Sequence, residues 1–99
     1  MESRAIEYNG PSIHGTRVKI RQTKKGYQIF VMAMSIIDVA MCMMLAIEQI
    51  TQKRYTITSL MEYVKDAPDD GCEEDDGGID FYVGSAWIDQ DGNLRKRSP

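Results

Sequence analysis

Histidine occurs once in these 99 residues and cysteine twice, and each scarcity excludes a class of chemistry. Two cysteines make no disulfide framework, so Cys42 and Cys72 read as reduced thiols of a cytoplasmic protein. Acids surround Cys72 and should raise its pKa, which makes it a poor nucleophile. His14 lies in Pro11-Ser12-Ile13-His14-Gly15 with no ligand at metal spacing and no Ser/Asp constellation near it. It reads as a solvated loop residue. Glycines stand singly or as Gly77-Gly78, without the pattern of a phosphate-binding loop. No complete catalytic or metal motif is present. The expectation is therefore a non-enzymatic protein with no cofactor and no metal. The opening MESRAIEYNG has no apolar run or small-residue cleavage site, so no secretory signal is expected.

Positive charge is missing altogether from Asp66 to Asp80, where DAPDDGCEEDDGGID holds eight carboxylates. Charge is segregated along the chain. Residues 1–60 carry +4 and residues 61–99 carry −7, which together give the net −3. Clustered acids of this kind suit encounter with a basic surface, because local potential governs steering and partner choice. Asp69, Asp70, Glu73, Glu74, Asp75 and Asp76 are the candidate partner-binding residues. A flexible, solvated linker is the plain alternative. A calcium site does not fit these acids, which lack alternating ligand spacing. Asp89-x-Asp91-x-Asn93 begins like a calcium loop, but its Gly92 falls fourth instead of sixth.

Alternation supplies the opposite pole. From Thr16 to Gln22, Val18 and Ile20 point one way while Arg17, Lys19 and Arg21 point the other, the period of a half-buried strand. Thr23-Lys24-Lys25-Gly26 makes a hairpin turn, and Tyr27 to Met32 alternates again. This register sets Ile20 against Ile29 and Val18 against Val31. Arg17, Lys19, Arg21, Lys24 and Lys25 then form a candidate nucleic-acid-binding row on the hairpin 16–32. Phe30 shares their face, where it can stack a base. An ordinary wet sheet face is the alternative, since the whole chain is acidic.

Ser35 followed by Asp38 resembles a capping box ahead of a helix from Ile36 to Lys53. Ile36, Val39, Ala40, Met43, Ala46, Ile47 and Ile50 form its core stripe. Ile37, Met41, Met44 and Leu45 make the other side apolar too, a candidate strip for a homodimer or a partner. The run from Ile29 to Ile47 is long enough to cross a bilayer, which raises a single-pass membrane reading. Asp38 within that run weighs against it. A second helix is expected over Leu60 to Asp66, capped by Thr58 or Ser59. Strand is expected over Ile79 to Val83 and Ala86 to Asp89, with a bulge at Gly84 and Trp87 in the core. A turn at Asp89–Asn93 precedes an edge strand or basic tail.

The expected architecture is a single α+β domain over 1–99: a small antiparallel sheet packed against one long apolar helix, with a second short helix. Residues 66–78 would be an acidic loop and 95–99 a basic tail. The expected function is protein–protein interaction: an acidic inhibitor occupying a basic, nucleic-acid-handling surface of a partner, in the manner of phage or mobile-element accessory proteins. Direct nucleic-acid binding through the hairpin is the alternative.

Overall fold

The computed structural model describes residues 4–11, 13–66 and 81–97. It is an α+β fold, a six-stranded antiparallel sheet with the helices gathered on one face. The strands are β1 (Arg4–Ile6), β2 (Arg17–Thr23), β3 (Gly26–Ala33), β4 (Val64–Asp66), β5 (Tyr82–Asp89) and β6 (Leu94–Arg95). They run β1-β2-β3-β5-β4 across the sheet, and β6 pairs with the far end of β5.

The β2–β3 hairpin has the register its alternation requires, with Val18 opposite Val31 and Ile20 opposite Ile29. Thr23 pairs with Gly26, so only Lys24 and Lys25 make the turn. The Thr23 hydroxyl accepts from the Lys25 N–H at 3.2 Å and donates to the Gly26 carbonyl at 3.3 Å. Gly26 has φ +139°, and a Cβ there would strike the Ile88 carbonyl oxygen of β5.

Helix α1 (Ile36–Thr51) starts where Ser35 caps it, its Oγ accepting from the Asp38 N–H at 3.1 Å. It stops short of Lys53. Thr51 Oγ1 bonds back to the Ile47 carbonyl and accepts from the Lys53 N–H, while Gln52 turns left-handed at φ 64°. Gln49 ties the N-terminal arm to this helix, donating to the Glu7 carbonyl at 2.8 Å and accepting from the Asn9 N–H at 2.7 Å.

Ile29–Ala33 belongs to β3, as the alternation over Tyr27 to Met32 required, and pairs with both β2 and β5, so the apolar run 29–47 that raised the membrane reading is divided between a strand and a helix. Among the described residues no helix is long and apolar enough to cross a membrane. Other features differ from the sequence reading. The second helix, α2 (Ile57–Leu60), is capped by Thr56 and continues as a 3-10 turn, Met61–Tyr63. Val64 then enters the sheet opposite Gly84, because a β-branched residue beside an open strand edge gains more from pairing than from a further helical turn. No bulge interrupts β5, whose register runs unbroken from Tyr82 to Asp89. Ile36, expected in the core stripe, is 40% exposed at the mouth of α1.

The core lies between α1 and one sheet face. Val39, Ala40, Cys42, Met43, Ala46 and Ile47 of the helix meet Ile20, Ile29, Val31, Ala33, Ala86 and Ile88 of the strands, and Leu60 of α2 closes the side. Each large side chain buried here contributes about 1.5–3 kcal/mol. Gly84 is the point of closest approach. A Cβ there would meet the Met43 sulfur and would lie 2.6 Å from Val39 Cγ1.

Burial pushes the pKa of the Cys42 thiol up, and the nearby Asp38 charge adds to this. The Tyr8 hydroxyl beside Cys42 partly opposes the rise. Burial likewise carries Tyr8 to about 12. Two outcomes follow for the folded chain. Gly84→Ala lowers stability by about 1–3 kcal/mol in urea unfolding, because overpacking forces Val39 or the backbone aside. In a Cys72→Ser chain, Cys42 resists alkylation under native conditions and reacts once denaturant is added.

Candidate functional site

The sheet has a second face, turned away from α1. Strand alternation sends one residue in two to each side, and the pairing fixes which residues stand together. On β2 they are Arg17, Lys19 and Arg21, which are exposed and lie opposite Met32, Phe30 and Gln28 of β3. On β5 they are Val83, Ser85 and Trp87, opposite the same Met32, Phe30 and Gln28 from the other side. Lys65 of β4 stands beside Val83, and Arg95 of β6 beside Trp87.

Phe30, Met32, Val83 and Trp87 therefore make an apolar stripe down the middle of this face. All four are half-buried, and none belongs to the core cluster or packs against it. Trp87 was expected inside on the strength of its apolar neighbours Ala86 and Ile88. Those two face the helix and are fully buried, and one step along a strand turns Trp87 to the other side. Tyr82, which shares the parity of Ala86 and Ile88 along β5, packs against the core.

Cations border the stripe on both sides. Arg17, Lys19 and Arg21 line one, and Lys24 and Lys25 continue it at the turn, all exposed. Gln90 Nε2 donates to the Lys24 carbonyl at 2.7 Å and fastens that turn to the one after β5. None of these five cations pairs with an acid among the described residues. Three other basic groups are paired with acids. Arg95 Nε donates to Asp89 Oδ2 at 2.8 Å. Lys96 meets Glu62 at 3.2 Å and lies 5.5 Å from the centre of the Tyr63 ring, which draws the segment after β6 toward the 3-10 turn. Arg54 pairs with Glu48 at 3.0 Å.

Asp89 is the fixed point of this end of the sheet. Its Oδ1 accepts from the N–H groups of Asp91 and Asn93 at 3.0 and 2.8 Å. The spacing that resembled a calcium loop is used instead to close a turn around one carboxylate. The Arg95 guanidinium, then the Asn93 and Asp91 N–H groups, hold the Asp89 carboxyl down at about 2. Arg95 is in this way anchored beside Trp87.

The six acids Asp69 to Asp76 expected to bind a partner fall between β4 and β5 and lie outside the described residues, as does Cys72. The apolar strip on α1 is only partly available. Met44 packs against the core, while Ile37, Met41 and Leu45 stay outside it and Ile37 is 53% exposed. His14 is exposed in the loop before β2. Alternation alone located Arg17, Lys19, Arg21 and Phe30. Trp87 and Lys65 joined them only through strand pairings that no local pattern encodes.

No family model, curated protein or solved structure matches this chain. The face must be judged on its own chemistry.

One consequence is open to titration. The folded pKa of Asp89 lies below the usual carboxylate value of about 3.9, so its contribution is complete above that value and disappears as pH falls toward about 2. The melting temperature should drop across this window. Asp89→Asn, which keeps an acceptor for the two N–H groups but loses the ion pair, should melt lower at neutral pH and show a flatter acid limb. An acid limb unchanged in the variant would assign the transition to other carboxylates.

Proposed function

We propose that this chain is a nucleic-acid-binding module that works through the basic, helix-free face of its sheet. One observation carries the reading: Arg17, Lys19 and Arg21 stand in a single exposed row, extended by Lys24 and Lys25, beside an apolar stripe that the core does not use. Lys and Arg in a row neutralise phosphates and release their counterions, the main source of affinity for any polynucleotide.

The acidic total is not an obstacle. All twelve Lys and Arg lie among the described residues, with seven of the fifteen acids, so this part of the molecule carries +5. At about 0.1 M salt, charges more than about 10 Å from the row are largely screened from it.

Anisotropy of a labelled oligonucleotide tests the reading. Three to five neutralised phosphates predict a loss of affinity of about 20- to 500-fold between about 50 and 200 mM salt. Changing Arg17, Lys19 and Arg21 together to Ala should weaken binding and shrink that salt slope. No binding to any DNA or RNA at low salt removes the proposal.

Charge segregation supports a second reading, in which Asp69, Asp70, Glu73, Glu74, Asp75 and Asp76 engage a basic surface of a partner protein. Its support is the charge pattern alone. Under it, replacing the six acids by Asn and Gln abolishes partner capture. Under the first reading the same change leaves nucleic-acid binding intact or strengthens it.

A further inference from the structure

Resting on the nucleic-acid reading, we infer that the ligand of this face is a single strand, with two neighbouring bases stacked on Phe30 and Trp87. Width decides between single and double strand. A β-ribbon that reads duplex DNA enters a major groove about 12 Å wide. Here the hairpin β2–β3 is not a free ribbon, because β3 is also paired along its whole length with β5. Five strands abreast, spaced about 4.8 Å, span about 19 Å, too broad to enter that groove. The face can meet a duplex only along its backbone, which would leave the apolar stripe unused.

A single strand uses all of it. Arg17, Lys19 and Arg21 alternate along β2, so their Cα atoms step by about 6.5–7 Å, a row that an extended sugar-phosphate backbone can follow. Bases turned inward from that row arrive over β3 and β5. There Phe30 lies directly opposite Ser85, and Trp87 directly opposite Gln28. The two aromatics are thus diagonal neighbours, with Cβ atoms about 7–8 Å apart or somewhat less. The remaining two corners carry the amide and hydroxyl of Gln28 and Ser85, which can bond base edges. Aromatic faces tolerate any base, so stacking here favours unpaired nucleotides without dictating a sequence. Arg95, anchored by Asp89, borders Trp87 on the outer side.

Trp87 is the only tryptophan, so its fluorescence reports this site alone. The full chain is titrated with short oligo(U), oligo(dT) and a duplex of equal length. The inference expects quenching by the single strands and weaker binding, without comparable quenching, by the duplex. Phe30→Ala or Trp87→Ala, followed by anisotropy, should weaken single-strand binding about 5- to 100-fold. Phe30→Leu keeps apolar bulk without an aromatic face, and should lose affinity while melting like the parent chain. A preference for oligo(U) over oligo(dT) assigns contacts to the 2′-hydroxyl, and equal binding assigns the site to any single strand. Salt-sensitive binding with equal affinity for duplex, no quenching and no effect of Phe30→Leu overturns the inference while leaving the nucleic-acid reading in place. Absence of binding to every strand overturns both.

Discussion

The seating of helix α1 on Gly84 is the contact on which the rest of the molecule depends. With no side chain at that position, Val39 and Met43 descend onto the backbone of β5. That fixes which face of β5 is inside, and β5 fixes it for β3, with which it pairs along its full length. The alternation of β3 passes the choice on to β2. One close approach therefore assigns every side chain in the sheet to core or exterior.

The assignment separates two kinds of apolar residue that composition cannot distinguish. Ile29, Val31, Ala86 and Ile88 are wholly buried under the helix. Phe30, Met32, Val83 and Trp87 are left outside that core, between rows of Lys and Arg. A core of this size does not need them, and an ordinary wet sheet face would carry polar residues in their place. Their position between cations is what makes binding of a charged polymer with flat, apolar bases the best physical account of the face.

Much of the fold was legible in the sequence because its signals were local. The register of β2 against β3 followed from alternation and a short turn, and the start of α1 from the Ser35 cap. The end of α1 was not legible, because a left-handed Gln52 has no sequence signature comparable to glycine. The second helix was placed too late because Val64, plausible in either state, is claimed by the open edge of β5. The candidate site divided in the same way. Its basic row and Phe30 could be read from one hairpin, β2–β3. Trp87 and Lys65 depended on which strands sit side by side, and in Ala86-Trp87-Ile88 every residue is apolar, so nothing in the local pattern says which one turns outward.

The account stands or falls on which face of the sheet meets a ligand. Amide chemical-shift mapping of the labelled full chain during titration with a short single strand measures this directly. The account predicts that the largest changes fall on Arg17, Lys19, Arg21, Gln28, Phe30, Ser85 and Trp87, with the Trp87 indole N–H among them, and that the Ile37–Leu45 stretch of α1 stays still. Changes concentrated on the helix, or none on the sheet at a strand concentration that saturates binding, would contradict it.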